Sequence, residues 1–196
     1  MRAAFVIFDG MTTLDFAGAF DPISRLRTMG FLPDLSWDIC GIAREIRDSN
    51  GIVLRPDRVA APLSGYDLVV VPGGPGARAL VGDSDFVGWI RGASGSALVS
   101  SVCTGSLLLG AAGLLAGRAA TSHRSALDDL RQYAGEVVPE RVVDSGKIVT
   151  AAGVTSSIDL GLYLCERLAG PDAREQIRLQ IEYRCSDSRA TESPAA

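Results

Sequence analysis

At residues 101–105 the chain reads Ser101-Val102-Cys103-Thr104-Gly105, where an apolar strand-like run, Ala97–Val102, meets a helical segment, Thr104–Leu115. No loop separates the two segments, and small residues flank the cysteine, which is typical of a nucleophile elbow. In such an elbow, a strained turn between a strand and a helix exposes one side chain at the edge of a sheet. The pattern therefore predicts an α/β fold that presents Cys103 at the carboxyl end of a strand.

Apolar runs of strand length recur on both sides of this elbow, with helical segments between them. Runs this uniformly apolar suit parallel strands that are covered on both faces, so we predict a doubly wound, mostly parallel α/β sheet. The strands are expected at Ala3–Phe8, Trp37–Ala43, Asp67–Val71, Ala97–Val102 and Lys147–Ala151, and the helices at Asp15–Met29, Ser84–Arg91, Thr104–Leu115, Ser125–Ala134 and Thr155–Leu168. Hairpin turns are expected at Asp48-Ser49-Asn50-Gly51 and at Ser145-Gly146.

The composition is that of an ordinary globular domain. Hydrophobic residues make up 47% of the 196 residues, which is enough for a sizeable core in one domain. The net charge is −4 and no basic run is present, which argues against nucleic acid as a partner. No apolar stretch approaches the ~20 residues of a membrane span, so we expect no membrane association. We predict one domain over residues 1–184, a disordered polar tail over 185–196 and a cytoplasmic location.

The cysteine and histidine content limits the cofactor chemistry. Cys40, Cys103, Cys165 and Cys185 are far apart in the sequence and form no C-x-x-C pair, so reduced thiols are expected. A zinc site needs several ligands at short spacing, and the chain has a single histidine, His123. We therefore predict no metal site. Cys40 and Cys165 are interpreted as core residues, and Cys185 as an exposed one.

Cys103 is the first candidate for catalysis. A thiol at the start of a helix faces backbone N–H groups and the positive end of the helix dipole, which favour the thiolate. The N–H of Thr104 could then stabilise a developing oxyanion. The alternative is that Cys103 is a small buried residue at the end of a strand, which is the commonest role of a cysteine. The elbow alone favours neither interpretation.

A glycine-rich segment, Pro72-Gly73-Gly74-Pro75-Gly76, follows the strand Asp67–Val71 and reaches the same edge of the sheet. Open α/β folds bind ligands at this edge, and glycines allow the backbone to approach a ligand closely. No Lys-Ser/Thr pair follows and no G-x-G-x-x-G pattern is present, so the segment is not a phosphate loop. Taken alone, it is better explained as a turn.

Asp15 and His123 are the remaining candidates. Asp15 follows the first strand and should lie at the same edge, although Thr12-x-x-Asp15 is also a helix-capping signature. His123 is the one imidazole available for acid–base chemistry, but a single histidine at the start of a helix is more often a polar surface residue. The sequence pattern alone does not decide whether Asp15 is catalytic or a helix cap, or whether His123 is catalytic or a surface residue.

Taken together, these segments resemble the ThiJ/PfpI superfamily, which is similar to class I glutamine amidotransferases, and within it the isonitrile hydratases. The resemblance extends from Arg2 to about Tyr183. It is carried by Leu14-Asp15-Phe16-Ala17-Gly18, Val71-Pro72-Gly73-Gly74, Ser101-Val102-Cys103-Thr104-Gly105-Ser106, Gly110-Ala111-Ala112-Gly113-Leu114-Leu115 and Gly153-Val154-Thr155-Ser156-Ser157-Ile158-Asp159. It implies a flavodoxin-like fold and a homodimer.

The resemblance also implies roles for individual residues. Cys103 would be the nucleophile and Asp15 the acid hydrogen-bonded to its sulfur. The N–H groups of Gly74 and Thr104 would be the oxyanion donors, and the substrate site would further include Gly73, Val154 and His123.

The implied activity is the hydration of an isonitrile, a small electrophile, to an N-substituted formamide without a cofactor. One elbow cysteine can serve several reactions, so glyoxalase-like chemistry and amide hydrolysis remain alternatives. A redox-sensing or ligand-sensing module without catalysis is the third alternative, because an accessible and activated cysteine is readily oxidised.

Overall fold

A seven-stranded sheet forms the centre of the computed structural model, which describes residues 1–184. Its order is β10-β11-β7-β6-β1-β2-β5, and all neighbouring strands are parallel except β10 and β11. The strands are β1 (Arg2–Val6), β2 (Ser36–Gly41), β3 (Ile46–Arg47), β4 (Val53–Leu54), β5 (Arg58–Val59), β6 (Leu68–Val71), β7 (Leu98–Val102), β8 (Ala119–Ala120), β9 (Glu136–Val137), β10 (Val142–Asp144) and β11 (Ile148–Ala151). The five central parallel strands follow the flavodoxin-like order, which confirms the predicted fold class.

Helices cover the sheet in two groups. The helices are α1 (Thr13–Thr28), α2 (Pro75–Leu80), α3 (Ser84–Arg91), α4 (Gly105–Ala111), α5 (Leu127–Leu130), α6 (Ser156–Ala169) and α7 (Pro171–Gln180). Helix α1 packs against α6 and α7, whereas α4 packs against α2, α3 and α5. The strands between the two layers are apolar, and every residue of β6 and β7 is buried. Within residues 1–184, no helix combines the length and apolar character that crossing a bilayer requires.

The register of the sheet brings three strand ends level with one another. Val71 at the end of β6 pairs with Ser101, and Val102 at the end of β7 pairs with Ala151. The residues that follow these strands therefore emerge side by side. Strand order also reverses between β1 and β6, and this reversal opens a crevice at the carboxyl edge in doubly wound sheets.

Most predicted elements are confirmed, with differences at their ends. All five predicted strands are present, as are the two hairpins, formed by β3 with β4 and by β10 with β11. The single helix predicted over Ser125–Ala134 is wrong, because Ala126, at φ −125°, separates a short 3-10 turn from α5. Helices α2 and α7 were not predicted. The tail predicted over 185–196, with Cys185, lies outside the described residues.

Candidate active site

The sequence-predicted residues converge at the carboxyl edge of the sheet. Asp15 lies in the first turn of α1, just after β1, and Gly73 and Gly74 follow β6. Cys103 lies between β7 and α4. The strands β1, β6 and β7 are adjacent in the sheet, so the loops that follow them meet at the point where strand order reverses.

The backbone at Cys103 has the geometry of a nucleophile elbow. Its φ of +56° lies in the left-handed region, which is strained for a residue with a side chain. The Cys103 N–H donates to the carbonyls of Ala151 (3.0 Å) and Ala152 (2.8 Å). Its carbonyl accepts hydrogen bonds from the hydroxyls of Ser106 (3.1 Å) and Ser122 (3.0 Å). Hydrogen bonds to both the N–H and the carbonyl group of Cys103 hold the turn in its strained form.

Gly73 lies so close to the elbow that no side chain fits there. A Cβ atom at this position would be 2.5 Å from the Thr104 nitrogen and 2.9 Å from the Cys103 Cβ. The first of these atoms belongs to the backbone and cannot move aside without shifting α4. The glycine at this position therefore allows the loop after β6 to contact the nucleophile elbow directly.

Asp15 is completely buried, and its carboxyl group accepts a hydrogen bond from outside its own helix. The Gly73 N–H donates to Oδ2 at 3.0 Å, while the Thr12 N–H, which a capping box would satisfy, donates to the Gly73 carbonyl instead. The capping interpretation of Asp15 is therefore wrong. Oδ1 accepts no hydrogen bond of ordinary geometry from residues 1–184, and the thiol of Cys103 is the neighbouring donor.

Asp15 and Cys103 shift each other's protonation. Burial raises the pKa of Asp15 to about 6, and hydrogen bonds from Gly73 and Cys103 oppose this rise. Burial and then the charge of Asp15 raise the pKa of Cys103 to about 12, against smaller lowering effects of the Thr104 N–H and hydroxyl. Burial and the charge of Asp15 therefore oppose the predicted thiolate. Near neutral pH the coupled pair of Asp15 and Cys103 holds one proton.

The Thr104 hydroxyl accepts a hydrogen bond from the Gly74 N–H, one of the two amides that were expected to bind an oxyanion. The Gly74 N–H donates to the Thr104 Oγ1 at 2.8 Å, and the same oxygen lies 2.9 Å from the Gly74 carbonyl, to which it donates. A substrate could use the Gly74 N–H only after the Thr104 hydroxyl turned away. The Thr104 N–H, by contrast, faces the Cys103 sulfur and is the donor next to the reacting atom.

A pocket of about 340 Å³ opens over the elbow. Its lining combines predicted and unpredicted residues: Thr12, Gly74, Pro75, Arg78, Cys103, Thr104, His123, Ser125 and Val154. Asp15 and Gly73 do not line it, so Asp15 reaches the pocket through its contact with Cys103. The pocket is large enough for a small organic molecule with one end at the sulfur.

His123 lies on the pocket wall and caps the 3-10 turn that follows it. The Ser125 N–H donates to its Nδ1 at 3.2 Å, and the Ser125 hydroxyl lies 2.8 Å from the same nitrogen. A nitrogen that accepts a backbone N–H carries a lone pair, so the neutral ring has its proton on Nε2. His123 is half-buried and lines the pocket, so it is more than a polar surface residue.

Thr12, Pro75, Arg78 and Ser125 were missed as lining residues. Pro75 and Arg78 belong to α2, a segment interpreted from the sequence as part of a turn. Proline favours the first position of a helix, and this signal could have placed Arg78 one turn later on the pocket side. No cluster of three or more His, Cys, Asp or Glu side chains that could hold a metal ion is found in the described part of the chain.

Comparison with known proteins assigns the family. Residues 1–167 match the DJ-1/PfpI family. The chain belongs to the DJ-1/PfpI family. Among its relatives, the isonitrile hydratase of Pseudomonas putida is 35% identical over 189 residues, which cover 93% of this chain and 78% of that protein. This DJ-1/PfpI assignment confirms the resemblance drawn from the sequence motifs.

Two further relatives indicate the range of this family. The HTH-type transcriptional regulator CdhR of Pseudomonas aeruginosa is 31% identical over 90% of this chain, which spans 53% of the regulator. A crystal structure of a ThiJ/PfpI family protein from Pseudomonas syringae superposes with a TM-score of 0.83 at 29% identity, covering 98% of this chain and 78% of that one. DJ-1/PfpI membership therefore establishes the fold but leaves the reaction to be argued from the site.

Proposed function

We propose that this protein is an isonitrile hydratase-like hydro-lyase that converts an isonitrile to an N-substituted formamide without a cofactor. The observation that carries the proposal is the buried Asp15–Cys103 pair, which shares one proton beside a pocket of about 340 Å³. Similarity to an isonitrile hydratase over 93% of the chain supports the choice of substrate. The net reaction adds one water molecule and transfers no electrons.

In the first step, the Cys103 sulfur attacks the terminal carbon of the isonitrile as Asp15 takes the thiol proton. The carboxyl group then returns this proton to the same carbon. An S–C bond and a C–H bond form, the carbon–nitrogen triple bond becomes a double bond, and a thioimidate results. Asp15 performs this transfer well because its pKa of about 6 keeps it ionised, yet basic, near neutral pH.

In the second step, water adds across the C=N bond while Asp15 accepts one of its protons. Asp15 passes this proton to the nitrogen while the carbon gains the hydroxyl group, and the resulting tetrahedral species collapses with cleavage of the S–C bond as its hydroxyl proton moves to Asp15. The formamide leaves and the proton returns to Cys103. The Thr104 N–H stabilises the charge that develops on oxygen, and the Nε2–H of His123 supplies a second donor.

Turnover of aryl and alkyl isonitriles, followed by NMR detection of the formamide, tests this reaction directly. Cys103→Ser should abolish it, because an alcohol is a far weaker nucleophile. Cys165→Ser is the matched control, since this thiol is also buried but donates to the Pro22 carbonyl, and neither residue lines the pocket. Production of lactate from methylglyoxal, or amide hydrolysis in place of formamide production, would instead assign the glyoxalase-like or amidase alternative.

Ligand sensing is the second candidate function, favoured by the similarity to a transcriptional regulator. A sensor would bind a small molecule in the same pocket without consuming it. Saturable binding of isonitriles with no formamide formed, and with the same affinity in Cys103→Ser, would support this candidate over catalysis.

A homodimer is part of the same proposal. Leu14, Ile52 and Val53 are large apolar residues that are 47%, 52% and 44% exposed. Asp48 links the two segments that carry these residues. It accepts hydrogen bonds from the hydroxyl of Thr13, which precedes Leu14 (2.6 Å), and from the Ile52 N–H (2.8 Å). Exposed apolar residues that lie together are typical of a protein–protein interface, and a second copy of the chain is the proposed partner.

A further inference from the structure

A guanidinium group lies on the wall of the pocket over Cys103. Among residues 1–184, the lining includes the basic side chains of Arg78 and His123 and no carboxylate. Asp15 is charged but reaches the pocket only through Cys103. The wall therefore presents a positive group to a ligand, without a facing acid to repel an anion.

Contacts on both sides hold the Arg78 guanidinium at this wall. One terminal nitrogen pairs with Asp129, and the other donates to the Ser125 carbonyl at 3.1 Å. Ser125 lines the pocket, whereas Asp129 lines a second cavity that Arg78 also borders. The ion pair therefore holds the side chain through a residue outside the pocket lining, and the Arg78 side chain is still 44% exposed.

Arg78 retains unused donors for a ligand. A guanidinium group has five N–H bonds, and the structure gives Arg78 two partners among residues 1–184. Three N–H bonds are therefore left, and a guanidinium with two adjacent N–H bonds free binds a carboxylate through two parallel hydrogen bonds. An arginine with such N–H bonds free binds a carboxylate better than a lysine would, since lysine offers a point charge without fixed geometry.

We infer that Arg78 recognises an anionic group, of the carboxylate class, on the substrate's side chain while the reactive end of the substrate lies at Cys103. This inference rests on the proposed function for the reaction and adds the class of substrate. It makes Arg78 a specificity-determining residue: it contacts the substrate away from the reacting atoms and takes no part in proton transfer. Arg78 should therefore act mainly on KM.

The test compares acids with their neutral esters. Isocyanoacetate and 4-isocyanobenzoate are each assayed beside their methyl esters, because the two lengths sample different distances between Cys103 and Arg78. The wild-type protein should prefer one acid over its ester by roughly 10- to 100-fold in kcat/KM. Arg78→Gln should remove this preference, mostly by raising the KM of the acid well above any change in the KM of its ester.

Matched variants separate recognition from stability. Arg131→Gln also removes an exposed arginine that pairs with an aspartate of α5, Asp128, but Arg131 lies outside the pocket lining, so the preference should survive. Asp129→Asn should retain or strengthen it, because Arg78 loses a competing anion. Arg78→Lys should recover part of it. Equal kcat/KM for both acids and their esters in the wild type, or equal loss for acid and ester in Arg78→Gln, would overturn the inference.

Measuring the binding of reaction products tests the proposed anion site independently of the proposed reaction. Calorimetry with 4-formamidobenzoate and its methyl ester needs no turnover. If no isonitrile reacts but the acid binds more tightly than the ester in the wild type and not in Arg78→Gln, the proposed function fails and the anion site stands. If isonitriles react but Arg78→Gln binds the acid as tightly as the wild type does, the anion site fails and the function stands.

Discussion

Asp15 is buried as a carboxylate at a cost in stability. Among residues 1–184, its carboxyl group accepts one ordinary hydrogen bond, from the Gly73 N–H, which offsets only part of the desolvation that raises its pKa to about 6. A group chosen for stability alone at this position would be apolar or an amide. The cost has a purpose if Asp15 moves a proton to and from Cys103, because a carboxyl group with a pKa near 6 gives and takes protons readily at neutral pH.

Asp15→Asn should therefore increase stability and abolish activity. The folded-state pKa is raised above the ordinary 3.8, so the contribution of Asp15 to stability is complete below pH 4 and is lost as the pH rises through about 6. A shift of this size corresponds to about 3 kcal/mol, so the variant should gain roughly 1–3 kcal/mol in free energy of unfolding at pH 7.5. Turnover should fall by about a hundredfold or more.

Urea unfolding of Asp15→Asn and wild type at pH 4 and pH 7.5 measures this effect. The stability difference between the two proteins should be clearly larger at pH 7.5, because the wild-type carboxylate is ionised there. A variant that is less stable than the wild type at pH 7.5 would show that the Asp15 carboxylate supports the fold.

The pH dependence of catalysis follows from the same pair. The proposed mechanism needs Asp15 ionised and Cys103 protonated, which is the main state between pH values of about 6 and 12. We expect kcat/KM to be flat from pH 7 to 9 and to fall tenfold per pH unit below about 6. An activity that rises steadily from pH 7 to 9 would indicate that a free thiolate is the reactive form.

At the scale of elements, the site depends on how closely the loop after β6 packs on the elbow. Gly73→Ala should destabilise the protein by about 1–3 kcal/mol and displace Cys103, since its new Cβ would meet the Thr104 nitrogen at 2.5 Å. Gly88→Ala is the control. It lies in α3 with no atom within 4 Å of a new Cβ and should gain about 0.5–1 kcal/mol from helix propensity. Thermal unfolding and kcat measure both variants, and equal stability of the two would contradict this packing argument.

The sequence predicted the central elements well because their signals are local. Uniformly apolar runs define the buried strands, and the small residues around Cys103 define the turn between β7 and α4. Helix α2 was missed because Pro75 and Gly76 are typical of turns, although proline also suits the first turn of a helix. The rise in the pKa of Cys103 was not predicted, because helix orientation can be inferred locally, whereas burial beside Asp15 depends on distant residues.

At the scale of the whole molecule, strand order explains why residues 15, 73 and 103 meet. The topology places β1, β6 and β7 side by side, so residues more than 80 positions apart in sequence converge on one edge. This convergence could be expected from the fold class alone. The side-chain contacts within it could not: the hydrogen bond of Thr104 to Gly74 has no sequence signature, and Pro75 signals the helix that carries Arg78 but not the contacts of Arg78 with Asp129 and Ser125.

The proposed homodimer is tested by the oligomeric state in solution. If the exposed Leu14, Ile52 and Val53 form its interface, sedimentation velocity should give twice the 20.5 kDa chain mass, and Ile52→Glu should shift the protein to the monomer because the interface would bury an unpaired charge. Leu179→Glu is the matched control, since Leu179 is also 52% exposed but lies on α7. Both variants introduce the same charge at equal exposure, so a specific interface predicts dissociation only for Ile52→Glu. Dissociation by Leu179→Glu, with Ile52→Glu still dimeric, would instead place the interface on α7.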